Sequence, residues 1–130
     1  MIVDASAIIA ILKDETGARR FEERIAADQN PKMSVVNYVE AAVVADGARN
    51  PLISRQFEEL IRVAGIEVVP VTMEQGRLAR EAYRDFGPGS GHPAKLNFGD
   101  CFAYALAKDL RQPLLFKGGD FSSTDVMAAI

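Results

Sequence analysis

Apolar residues in this chain recur at two spacings. Short β-branched runs read as strands, and longer runs with apolar positions three and four apart read as helices. Met1–Asp4 predicts a short buried strand, and Ala5–Leu12 a helix with Ser6 near its start. A second helix opens at Thr16 or Gly17 and continues to Ala27, with Phe21 and Ile25 one turn apart. Asn30–Pro31 is a turn and Lys32–Met33 a very short strand. Ser34 is an N-cap for the apolar helix that fades at Asp46–Gly47. Asn50–Pro51 starts the helix Leu52–Val63, and Gly65 ends it. Ile66–Val71 predicts a strand, and Met73–Phe86 a helix with Leu78, Ala79, Ala82, Tyr83 and Phe86 on its inner side. Gly87–Lys95 is a Gly- and Pro-rich loop, and Asn97 caps a helix that runs to Leu110. Pro113–Phe116 reads as a strand, Lys117–Asp120 as a turn, and Phe121 onward as a short helix or irregular tail with a last short strand near Asp125–Met127.

This alternation predicts one α/β domain over residues 1–130, with a small parallel sheet of four to five short strands and helices on both faces. Ligands of such sheets sit beyond the carboxyl ends of the strands. Asp4 is expected at the end of the first strand, and Asp120 shortly after the strand Leu114–Phe116.

Three apolar stretches each carry a single charge, and each time it is a carboxylate. They are Met1–Leu12 with Asp4, Met33–Ala45 with Glu40, and Leu96–Ala107 with Asp100. A carboxylate taken into a core must be protonated, hydrogen-bonded or paired. No Lys, Arg or His lies within these stretches, so a divalent metal at the rim of the core is the economical counter-ion. Each acid also has a structural alternative. Asp4 can cap the following helix, Asp100 can complete a capping box in Asn-Phe-Gly-Asp, and Asp120 can serve a turn. Glu40 lies too far into its helix to cap it, and shares a face with Val36, Val43 and Val44, so its alternative is a salt bridge to a distant Arg. Ser6 and Asn37 are supporting candidates, the first for a site carboxylate or metal water, the second for the same cleft as Glu40. His92 is expected to face solvent from its loop, and Cys101 to be a small buried hydrophobe. Arg77, Arg80 and Arg84 read as a solvated face paired with Glu81 and Asp85. Lys95, Lys108, Arg111 and Lys117 flank the acids in sequence and are the candidates for touching a polyanion.

Composition narrows the class. The chain has 130 residues, 48% hydrophobic and 25% charged, as in ordinary globular domains. No apolar run reaches the roughly 18 residues that span a bilayer, and no signal peptide is evident, so no membrane association and a cytoplasmic location are expected. One cysteine excludes an internal disulfide, and one Cys with one His makes a zinc site improbable on ligand count. A net charge of −3 argues against a broad basic face for nucleic acid, yet not against a phosphate-bearing substrate at a metal site.

The motifs DASAIIAIL, SVVNYVEA with Glu40, NFGDCFAYALAK with Asp100 and PLLFKGGDFSSTD with Asp120, in this order and spacing, resemble the PIN-domain nucleases. The resemblance is strongest to the VapC toxins of bacterial VapBC toxin–antitoxin pairs, and it runs the length of the chain. It implies a PIN-like three-layer fold, with Asp4, Glu40 and Asp100 as metal-binding acids and Asp120 as a fourth. Ser6 matches the family's small hydroxyl residue after the first Asp. Oxygen-only ligands favour Mg²⁺ or Mn²⁺. The implied activity is metal-dependent endoribonuclease cleavage, favouring single-stranded RNA, with a VapB-like antitoxin and a homodimer as partners. Phe21, Ile25, Leu52, Ile53 and Phe57 are candidates for the apolar groove those partners need. Two rivals stand beside this reading. One is a metal-dependent phosphohydrolase on a small phosphoester, disfavoured because Ser6 stands where such enzymes place a second Asp. The other is a non-catalytic acidic module that grips a basic peptide.

Overall fold

A computed structural model describes all 130 residues, Met1–Ile130. In chain order the elements are β1 (Ile2–Val3), α1 (Ala5–Leu12), α2 (Ala18–Ala26), β2 (Lys32–Ser34), α3 (Val35–Gly47), α4 (Pro51–Val63), β3 (Glu67–Val69), α5 (Met73–Phe86), α6 (Phe98–Leu110) and β4 (Leu114–Leu115). The four strands form one parallel sheet in the order β3-β2-β1-β4. Parallel neighbours need crossovers, and the helices supply them. The strands to either side of β1 are reached by connections in opposite directions, which makes its carboxyl end the switch point where ligands of such sheets bind.

Alternation along each strand sends side chains to two cores. Val3, Met33 and Leu115 face a core built with α1, α2, α3 and α4, including Ile8, Phe21, Ile25, Ala41, Ala45 and Phe57. Ile2 and Leu114 face a second core with α5 and α6, including Ala79, Ala82, Leu106 and Ala105. Helices therefore cover both faces of the sheet, as the sequence pattern predicts.

The helix starts follow local chemistry. Ser34 ends β2 and also caps α3, accepting from the Val36 amide at 3.3 Å. Asn50 caps α4 ahead of Pro51, and Thr72 caps α5. Gly65 has φ +66°, the left-handed conformation that ends α4.

Three expectations need correction. The strand near Asp125–Met127 reduces to a single bridge, Leu114 to Ala128. Tyr104 and Lys108 hold Asp125 at 2.7 and 2.9 Å, so only the residues after it reach the edge of β4. On α3 the buried face is Asn37, Ala41 and Ala45, whereas Val43 is 64% exposed. Small alanines let α3 pack closely and leave Val35, Val39 and Val43 as an outward stripe. Of the groove candidates, Phe21, Ile25 and Phe57 are core residues, Ile53 packs at the core margin, and only Leu52 is exposed.

Candidate metal centre

The acids reach one region by separate local devices. Asp4 is the N-cap of α1, where the chain leaves β1. Its Oδ2 accepts from the Ser6 amide at 3.0 Å and the Ser6 hydroxyl at 2.6 Å. Ser6 Oγ in turn accepts from the Lys117 amide at 2.9 Å, tying the start of α1 to the segment after β4. Asp100 completes a capping box. Asn97 Oδ1 accepts from the Asp100 amide at 2.8 Å, and Asp100 Oδ2 accepts from the Asn97 amide at 3.0 Å. The capping alternatives for both residues are thus real, and each occupies only one carboxylate oxygen.

Glu40 projects from α3 toward α6. Asn37, fully buried one turn earlier, donates to Glu40 Oε1 at 3.2 Å and to the Gly99 carbonyl at 2.9 Å. Gly99 is the residue that makes this possible. A Cβ there would lie 2.0 Å from Glu40 Oε2. Asp120, exposed after Gly118-Gly119, completes the group.

Each of the buried acids feels the charge of others in the group. Burial raises the pKa of Asp4, and the charge of Asp120 raises it further against the bonds from Ser6. Glu40 is raised by burial and then by Asp4. Asp100 is pushed up to about 7, first by burial and then by Asp4, Asp120 and Glu40. No Lys or Arg forms an ion pair with any of the four. The salt-bridge alternative for Glu40 is therefore not realised; its partner is Asn37.

As placed, no three of these side chains are drawn tightly enough together to hold one ion. Repulsion among uncompensated carboxylates opposes such gathering. The residues nonetheless suit a hard divalent cation. All the donors are oxygens, and Asp4 Oδ1 is a buried oxygen with no hydrogen-bond partner. Asn37 Oδ1 is a second such atom.

The raised acids make stability depend on pH. Between about pH 4 and 7 the folded chain holds a proton on Asp100 that the unfolded chain has released, so stability falls as pH rises through that window. We expect the metal-free protein to melt at a lower temperature at pH 7.5 than at pH 5. Asp100→Asn should flatten this decline, and equal slopes for the two proteins in EDTA would contradict it.

The basic candidates divide. Lys117 lies beside Ser6, although its ammonium pairs with Glu15 at 3.3 Å. Lys95 is exposed just before the Asn97 cap. Lys108 and Arg111 do not flank the acids. They stand near the opposite end of α6, roughly 12 and 16 Å along the helix from Asp100 by helical rise. Lys108 is also paired with Asp125. His92 is half-buried rather than solvent-facing, stacked edge-on against Phe86, with its Nδ1 accepting from the Ala94 amide. Cys101 is 2% exposed, and burial with Asp100 beside it pushes its thiol up to about 11, so it is no nucleophile. Arg77 and Arg84 pair with Glu74 and Asp85, not Glu81, and Arg80 forms no ion pair. Gly99 escaped sequence reasoning. Its signal was a poor helix former placed in the first turn of an apolar helix.

Comparison with known proteins gives a consistent picture. A family model described as PIN domain matches residues 1–127. Ribonuclease VapC28 of Mycobacterium tuberculosis is 55% identical over 130 residues, covering 100% of this chain and 98% of that protein. Ribonuclease VapC30 of the same organism is 44% identical over 126 residues, covering 97% and 95%. Among solved structures, a toxin–antitoxin complex from Klebsiella pneumoniae superposes with a TM-score of 0.73 at 14% identity, covering 99% of this chain and 97% of that one. The VapC20 toxin of Mycobacterium tuberculosis, described as cleaving the sarcin-ricin loop, gives 0.72 at 15% identity, covering 97% and 95%. At these identities the structural matches speak to the fold.

Proposed function

The chain belongs to the PIN-domain family, and from that premise we propose that it is a divalent-metal-dependent endoribonuclease of the VapC kind. The observation that carries this reading is the electrostatic coupling of Asp4, Glu40, Asp100 and Asp120 with no cationic side chain paired to them. These four would hold the metal, with Mg²⁺ or Mn²⁺ the ions matched to their oxygens. Bound there, such an ion supplies a Lewis acid for a phosphodiester oxygen and lowers the pKa of water.

The chain's own groups prepare that chemistry. Ser6 holds Asp4 through Oδ2 and leaves Oδ1 buried without a hydrogen-bond partner. Asn37 orients Glu40. Asp100, near neutrality, can hold or release a proton at the oxygen its cap bond leaves open. At the switch point of the sheet we expect extended, unpaired RNA in preference to a duplex, because its phosphates and bases are exposed.

A VapB-like antitoxin is the partner we propose for the groove between α1, α2 and α4. That groove has a volume of about 430 Å³ and is lined by Ile11, Ile25, Leu60 and Val63, with Glu22 and Asp28 at its margin. An apolar segment bearing basic residues would match it. The exposed Val35, Val39 and Val43 stripe is the face we assign to a homodimer. No helix is long and apolar enough to cross a membrane; a cytoplasmic location remains our proposal.

The test is cleavage of single-stranded RNA with added Mg²⁺ or Mn²⁺, alongside a phosphomonoester control. We expect RNA cleavage that EDTA abolishes and either ion restores, and calorimetric binding of Mn²⁺ with proton release near pH 7. Hydrolysis of the phosphomonoester alone would favour the small-substrate phosphohydrolase. Tight capture of a basic peptide, with neither metal response nor cleavage, would favour the binding module.

A further inference from the structure

α5 and α6 enclose a groove of about 300 Å³ that the metal centre does not use, lined by Gly76, Ala79, Arg80, Tyr83, Phe98 and Phe102. Cys101 forms its floor. Phe98 is 70% exposed although it opens an otherwise buried helix, and it lies edge-on to Phe102 with ring centroids 5.0 Å apart. Tyr83 is half-exposed on the facing helix. Such exposure of aromatic rings around one opening is unfavourable without an occupant. Gly76 and Ala79 keep the opposite wall low, so a flat group can enter.

The charge at the mouth narrows the choice of occupant. Arg80 is the member of the α5 arginine row without a carboxylate, whereas Arg77 and Arg84 are each paired. A free guanidinium beside aromatic faces suits a phosphate joined to a planar ring. The groove opens beside the metal centre, because Phe98 directly precedes Gly99, which abuts Glu40, and stands two residues before Asp100. Phe98, Cys101 and Phe102 share one face of α6, and Asp100 projects from the other side of the same first turn.

We propose that this groove is a base subsite. It takes one unpaired RNA base, stacked on Phe98, from a nucleotide beside the phosphate that reaches the acids, with Arg80 on the intervening backbone. The proposal rests on the ribonuclease reading and adds to it a determinant of which nucleotide neighbours the cut.

The experiment measures affinity of a labelled single-stranded oligoribonucleotide for the non-cleaving Asp4→Asn protein, with and without Phe98→Ala. Stacking on an exposed ring predicts a loss of about tenfold for Phe98→Ala, and little change for Phe98→Tyr. An abasic scan of the oligonucleotide should find one position whose base removal weakens binding to the same degree. That position should become silent when Phe98→Ala is present. Cleavage by the protein with Asp4 restored is scored separately, so failure of the nuclease reading is not confused with failure of the subsite. Unchanged RNA affinity in Phe98→Ala overturns the proposal. So does a variant whose only change is from dimer to monomer in sedimentation, which would assign the groove to a second copy of the chain.

Discussion

Asp4→Asn should lower RNA cleavage by about 10³-fold or more while raising the melting temperature of the metal-free protein. The two effects share a cause. Asp4 is 2% exposed, its Oδ1 is unpartnered, and Asp120 and Asp100 repel it. An asparagine carbonyl can keep both bonds from Ser6, so the cap on α1 survives. The amide then places a neutral donor among carboxylates whose charges are otherwise uncompensated. What stabilises the fold at this position therefore removes the charge that a cation requires. Added Mg²⁺ should raise the melting temperature of the parent protein and leave that of Asp4→Asn nearly unchanged. A variant that cleaves RNA normally would remove the basis for the assignment.

Gly99→Ala should leave the fold in place and cut activity by about 10–100-fold, the usual effect of disturbing what orients a metal ligand. The added methyl would meet the far end of Glu40, at 2.0 Å from Oε2 and 2.5 Å from Cδ. Glu40 is only half-buried and its side chain can swing away, so the clash is relieved at small cost to stability. Its carboxylate then leaves both Asn37 and the other acids. Glu40→Asp in the Gly99→Ala background shortens the side chain and should recover part of the activity. The check is kcat for each variant alongside its melting temperature. A Gly99→Ala protein with full kcat would show that the approach of α6 to Glu40 does not matter.

The parts of this molecule that were legible in its sequence are those governed by neighbours along the chain. The caps at Ser34 and Asn97, the helix start at Asn50–Pro51, the Gly65 stop and the alternation of strands with helices all depend on a few adjacent residues, and the structure places them as expected. The lone carboxylates were legible because a charge in an apolar run is conspicuous. Properties set by packing were not. Lys108 and Arg111 follow Asp100 closely in sequence, but helical rise carries them to the far end of α6. Val43 looked like core, yet the approach of α3 to the sheet selected Ala41 and Ala45 instead. Nothing near Gly99 in sequence reveals that Glu40, on another helix, needs its missing side chain.

The sheet joins segments that lie far apart along the chain. Ile2 pairs with Leu114, and the Lys117 amide reaches back 111 positions to Ser6, which holds Asp4. A growing chain on the ribosome thus lacks Asp120, the strand beside β1 and the brace on Ser6 until residues 114 to 120 have been made. Long-range closure of this kind also slows folding. A nuclease organised this way would be harmless to the messenger and the machinery producing it, and a partner made alongside would have that interval in which to arrive first.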